Sequence, residues 1–223
     1  MPRIQNYNAD PVILDRVAGS LKCVSQVLAV GAMIEIRWAA ILAAIAGADV
    51  ISAVTLLDRL RNVQSKQEAV LAVAKERLVA EDHRVLASAA IAVKGHRDRR
   101  NSFCHDVWAS AVELPDAAVL IPAKLLAMSN AHFAVADNLN YAAAVALIEV
   151  DVPDTNIYRA ADFRRVSAEA IEAGEVIHGA HRYAEWCRRA ALGGPAGGPA
   201  KDNILEALTS FPSFAAAFER KRV

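Results

Sequence analysis

The chain has 223 residues, 55 % of them hydrophobic, enough for one large domain with a sizeable core. Its 25 basic residues balance 25 acidic ones, so nothing global points to nucleic acid or an anionic membrane; only a local patch could. Three cysteines, Cys23, Cys104 and Cys187, are an odd, widely spaced set without a CxxC, which argues against a disulfide framework and reads as reduced thiols in a cytoplasm.

The polar start, MPRIQNYNADP, lacks the apolar run of a secretory signal. Asp10-Pro11 is a good helix opening, with a capping carboxylate before a proline in the first turn. From there to about Ala46 the apolar residues recur at spacings of three and four, through Val24, Val27, Leu28, Ile34, Trp38, Ile41 and Ile45. Gly19 and Gly31 weaken this helix without ending it, and Gly47 is its stop. The most apolar part of it is interrupted by Glu35, Arg37 and Asp49, leaving uncharged runs shorter than the ~20 residues of a membrane span. No membrane association is therefore expected.

Asp49 is placed to cap a second helix to about Arg61, and Ser65 with Glu68 forms a capping box for a third. A fourth begins near Glu81 and runs through Leu86 and Val93 into the polar stretch KGHRDRRNSFCHDVW. Two short apolar runs around Leu114-Pro115-Asp116 allow a hairpin. The segment AKLLAMSNAHFAVADNLNYAAAVALIEV allows one or two short helices, and VDVPDTNIY reads as a loop with extended pieces. A long helix returns over 160–189, carrying Phe163, Val166, Ile177 and Tyr183. The fold expected is all-α, an antiparallel helical bundle with a short β-hairpin excursion and a C-terminal helical tail. In this reading 1–192 form one domain, the Gly/Pro-rich 193–202 a linker, and 203–223 a tail whose phenylalanines dock elsewhere.

The polar chemistry concentrates at residues 94–108. Lys94, Arg97, Arg99 and Arg100 form the densest basic patch of a neutral chain, with His96 and His105 titratable beside them and only Asp98 and Asp106 opposing. Asn101 and His105, four apart, share a helix face. Arg100 and His105, five apart, are separated by about 140° of helical rotation, so they converge only if the helix ends or bends or a second chain completes the site.

RRNSFCHDVW resembles the R-N-x-x-x-H-x-x-W signature of bacterial HEPN-like helical proteins, with Arg100, Asn101 and His105 at the matching positions. The likeness extends over about residues 20–190 through the helical array before the motif and the long helix after it. It implies a helical homodimer that brings two copies of the motif together and, in catalytic members, cleaves RNA without a metal or cofactor. Histidine would exchange the proton of the ribose 2′-hydroxyl or the leaving oxygen, arginine would hold the phosphate, and Asn101 would orient the histidine or hydrogen-bond a phosphate oxygen. Lys94, Arg97 and Arg99 would attract the RNA backbone. A cognate protein partner is the third class of binder that such a fold admits. The competing reading is a non-catalytic helical interaction module, or one that binds a nucleotide or RNA, in which the motif is structural. In that case Arg100 pairs with a carboxylate such as Glu35 and His105 satisfies a buried carbonyl.

Other constellations are weaker. Glu175, His178 and His181 place an E-x-x-H on a helix, but the second such pair of a di-metal bundle is missing, so no metal site is expected. Cys104 and His105 are sequence neighbours that point about 100° apart, which disfavours a thiol–imidazole pair. GGPAGGPA lacks the lysine and serine of a phosphate loop. Trp38, Trp108 and Trp186 read as core or interface anchors, and the basic terminus FERKRV as a solvated end.

Overall fold

The computed structural model describes residues 12–124, 156–193 and 199–220, together with the backbone of 3–4, 7–9 and 150–151. The chain is mostly helical and carries small antiparallel sheets. It divides into two compact units, Met1–Val27 with Asp98–Ala168, and Leu28–Arg97 with Glu169–Val223. The division falls within three continuous helices, α2 (Ser20–Ala46), α6 (Lys94–His105) and α7 (Ala160–Ala191).

The expected opening helix is two elements. A four-residue α1 (Ile13–Arg16) ends at Val17, whose backbone is extended, and Gly19 follows at φ +82° before α2 begins. The left-handed region is open to glycine at little cost, so Gly19 ends the first helix rather than merely weakening it. Asp10-Pro11 lies outside the described residues. Gly31 is accommodated within α2, and Gly47, at φ +70°, stops it as expected.

The second unit is helical. Asp49 caps α3 (Val50–Leu57) through both carboxylate oxygens, accepting from the Ser52 backbone at 2.9 Å and its hydroxyl at 2.6 Å. These bonds hold its carboxyl below the usual range. α4 (Val63–Arg77) is capped by Asn62, which accepts from the Ser65 backbone at 2.8 Å. The expected capping box is therefore shifted: Ser65 is already inside the helix, and Glu68 accepts from Gln64 instead at 2.8 Å. The helix expected from Glu81 into the basic stretch is broken at Val93 into α5 (Ala80–Ala92) and α6. Two helices follow the linker, α8 (Lys201–Thr209) and α9 (Pro212–Arg220).

One cluster forms the core of this unit. Trp38, Ile41, Leu57, Val70, Leu86, Ile177 and Tyr183 join Leu208, Phe214 and Phe218, all nearly or fully buried. The tail phenylalanines thus share a core with α2, α4, α5 and α7. Arg84 sits 4.0 Å over the Phe218 ring, covering its face. Gly179 permits a close approach of α7 to α8, since a Cβ there would lie 2.7 Å from the Leu208 side chain. By length and composition α2 is long and apolar enough to cross a membrane, but half of that stretch is buried within the protein. Glu35 accepts from Lys66 at 3.1 Å, and Arg37 donates to His181 at 3.0 Å, so the two of the three interrupting charges that lie within α2 have partners.

The first unit holds the sheets. β3 (Val107–Ala111) and β4 (Leu114–Ile121) form the expected hairpin, but its turn is Val112-Glu113, and Leu114-Pro115-Asp116 open β4; Val107 lies opposite Ile121 and Trp108 opposite Leu120, with an irregularity between Ala109 and Ala111. β2 (Tyr7–Ala9) adds beside β3 and β6 (Ile157–Tyr158) beside β4, all antiparallel. β1 (Arg3–Ile4) and β5 (Val150–Asp151) make a separate two-stranded pair. Ala117 to Ile121 are consecutive and all buried, as an interior strand with both faces covered requires. Ala109, Ala111, Val119, Ile121 and Ile157 pack there. The short helices expected within residues 125–149 lie outside the described residues.

Candidate functional site

α6 ends where the polar stretch meets the sheet. The Asp106 backbone N–H closes the last helical turn on the Ser102 carbonyl at 2.9 Å, and β3 begins one residue later. Asp106 also accepts from the Ala123 backbone at 3.2 Å, tying the helix end to the chain just beyond β4. Trp108 therefore stands on a strand.

Phe103 anchors this end of the helix. It is 5 % exposed and meets Trp108 and Tyr158 edge-on, with centroids 5.1 and 5.4 Å away; Phe163 completes the group at 5.5 Å from Tyr158 and 6.0 Å from Trp108. Such edge-to-face pairs add roughly 0.5–1.5 kcal/mol each beyond the area they bury. Burial raises the Tyr158 hydroxyl above its ordinary pKa, against the opposing pull of the Arg99 and Arg165 charges.

Asn101 and His105 are both exposed and Arg100 is half-buried. The helix runs unbroken through all three, so the 140° between Arg100 and His105 is not removed by a bend. The Arg100 guanidinium instead reaches its neighbour: Nη1 donates to Asn101 Oδ1 at 3.2 Å. The amide oxygen is thereby turned to the arginine, and the amide nitrogen remains a donor. At the end of α6 an arginine is bonded to an amide, and that amide shares the exposed helix face with an imidazole. The histidine position drawn for a purely structural motif, sealed onto a buried carbonyl, is not the one His105 occupies.

The remaining basic residues are placed differently. Arg99 is half-buried near Tyr158. Lys94 is exposed, and Arg97 donates from Nη1 to Gln67 Oε1 at 3.0 Å in the second unit. The six residues expected at one site thus fall on the two sides of the unit division.

Of the weaker candidates, His181 receives Arg37 on Nδ1, with Nε2 3.5 Å from Glu185. The Arg37 bond requires Nδ1 to be the acceptor, hence unprotonated. Burial lowers the His181 pKa, and the Arg37 and His178 charges lower it further against the pull of Glu185. Among the described residues no group of three His, Cys, Asp or Glu side chains could hold a metal ion. Cys104 is exposed, whereas Cys23 and Cys187 are buried. Trp38 is fully buried, and Trp186 lies beneath the Lys201 ammonium at 5.6 Å.

One polar cluster was missed by sequence reasoning. Asp82, 8 % exposed, accepts on Oδ1 from the Tyr183 hydroxyl at 2.9 Å and from Lys201 Nζ at 2.7 Å. Burial opposes the Lys201 charge, but the Asp82 carboxylate outweighs it and raises the ammonium pKa. Burial, reinforced by Asp82, raises the Tyr183 hydroxyl and pushes the Cys187 thiol up to about 12. Tyr183 and Cys187 on one helix and Asp82 in the first turn of another have no local signal linking them; Asp82 reads in sequence only as a helix-dipole partner.

Comparison of the chain with protein-family models, with curated proteins and with solved structures found no match.

Proposed function

We propose that the end of α6 is the centre of a metal-independent endoribonuclease, a HEPN-like homodimer in which two copies of Arg100, Asn101 and His105 face a common groove. The observation that supports this reading is the Arg100–Asn101 hydrogen bond, one helical turn from the exposed His105 on the face that Asn101 shares with it.

In the reaction, His105 of one chain takes the proton of a ribose 2′-hydroxyl. The 2′-oxygen bonds to phosphorus as the bond from phosphorus to the 5′-oxygen breaks. The same histidine of the second copy, protonated, returns a proton to the leaving oxygen. The products are a 2′,3′-cyclic phosphate and a free 5′-hydroxyl. Arg100 and the Asn101 amide nitrogen stabilise the charge gathered on the phosphoryl oxygens, and Arg99 draws the backbone in.

A second reading follows from Phe103. Its burial in the aromatic group gives this helix turn an anchoring role, so the exposed face can serve a non-catalytic module that binds RNA or a protein. Incubation of RNA in EDTA with wild type, Arg100→Ala and His105→Ala separates the two. Cyclic-phosphate ends produced by wild type alone, with sedimentation giving twice the chain mass, support the nuclease. Equal cleavage by wild type and His105→Ala overturns it, and so does RNA retained intact by the wild type.

A further inference from the structure

A groove of about 330 Å³ in the second unit lies along α4, α5 and the start of α6. It is at the small end of the ~300–1,000 Å³ typical of small-molecule sites. Gln67, only 4 % exposed, lines it. Its orientation is fixed, because Arg97 Nη1 donates to Oε1 at 3.0 Å and the carbonyl end must face the guanidinium. The amide nitrogen at the other end is buried and has no hydrogen-bond partner among the described residues. A buried donor without an acceptor is uncommon in a folded chain and invites an external one.

The surroundings narrow the ligand. Lys94 is exposed at the rim, and Arg97 brings a second positive charge. Glu68 is the opposing carboxylate of the lining, and it already accepts from Gln64 at 2.8 Å. With Arg97 committed to Gln67, the exposed Lys94 is the charge the lining offers a ligand, which suits a monoanion better than a doubly charged phosphate. Leu71 and Ile91 add an apolar wall, Ile91 being 40 % exposed.

We propose that this groove binds a carboxylate bearing a short apolar substituent. Lys94 holds the carboxylate at the rim, the Gln67 amide nitrogen moves out from beneath the lining to donate to it, and Leu71 and Ile91 take the apolar group. A free branched acid and a peptide C-terminus present the same chemistry.

The test uses the full chain labelled with ¹⁵N, titrated with N-acetyl-leucine, N-acetyl-leucinamide, isovalerate and inorganic phosphate. The side-chain amide signal of Gln67 is read in each case. N-acetyl-leucine should shift it saturably, with the uncharged amide at least tenfold weaker. Isovalerate binding as tightly as N-acetyl-leucine identifies a free acid as the ligand; a clear preference for the acylated form identifies a peptide end. Lys94→Ala should weaken binding severalfold with an unchanged melting temperature, because Lys94 is exposed. Gln67→Met, similar in volume, should abolish it, and Lys94→Ala carries the test alone if that variant does not fold. Equal affinity for the acid and its amide, an unmoved Gln67 signal, or tighter binding of phosphate overturns the proposal.

Discussion

Replacing Asp82 by alanine should cost about 3 kcal/mol of stability. The Tyr183 hydroxyl and the Lys201 ammonium share one oxygen of this carboxylate, at 2.9 and 2.7 Å. Tyr183 is 0 % exposed, so its hydroxyl is left buried without an acceptor, a loss of roughly 1–3 kcal/mol. The Lys201 side chain is 24 % exposed and can regain water, so its ion pair adds only about 0–1 kcal/mol. Asp82→Asn keeps an acceptor oxygen for Tyr183 and should lose about 1 kcal/mol, the charge-dependent part. Tyr183→Phe in the Asp82→Ala background removes the orphaned hydroxyl, so the double variant should lose less stability than the sum of the two single losses. Urea unfolding followed by far-UV dichroism and by tryptophan fluorescence measures the four variants and the wild type, and coincident transitions license the comparison. Equal losses for Asp82→Ala and Asp82→Asn, or strict additivity with Tyr183→Phe, would refute the reasoning, because either means that Tyr183 does not depend on the carboxylate.

Gly179→Ala should destabilise by about 1–2 kcal/mol in the same unfolding assay. Its Cβ would meet Leu208 at 2.7 Å in a site where Leu208 is 1 % exposed, an overpacking loss that exceeds the helix-propensity gain. Gly174→Ala should be neutral or slightly stabilising, because the nearest atom is the flexible end of Met33 at 3.0 Å. His181 has a lowered folded pKa, so the unfolded chain binds its proton first as pH falls below about 6.5. Its contribution to stability is therefore present above that value and is lost on acidification down to the folded pKa; melting temperatures of His181→Gln between pH 7.5 and 5 should fall less than those of wild type. Phe103→Ala should cost about 3–5 kcal/mol, whereas His105→Ala, at an exposed position, should leave the melting temperature unchanged, so that any activity it loses is chemical.

What the sequence carried well was whatever depends on near neighbours. Asp49 caps α3 because its oxygens reach a donor three residues on, and Gly47 stops α2 because it can take φ +70°. The run Ala117–Ile121 reads as a strand because it is short, apolar and flanked by turn residues. Where two neighbours compete, spacing does not choose: Asn62 and Ser65 both suit a cap, and the amide oxygen of Asn62 takes the Ser65 backbone. Distant pairings leave no local trace at all. β2 exists because Tyr7 lies opposite Ala111, and the Asp82–Tyr183 bond joins positions 101 apart.

The end of α6 combines both kinds of information. At about 100° per residue, Asn101 and His105 lie some 40° apart and Phe103 about 160° from each. Burying Phe103 against Trp108 and Tyr158 therefore turns Asn101 and His105 outward together. Their shared face was legible from spacing, but its direction was not, because it depends on Tyr158, 55 positions further along the chain. Arg100 could not be placed by rotation either, since its link to that face is a side-chain hydrogen bond to Asn101. The apolar position between the polar ones aims that face at solvent, and a chain with the same three polar residues around an unburied position 103 would have nothing to hold that direction.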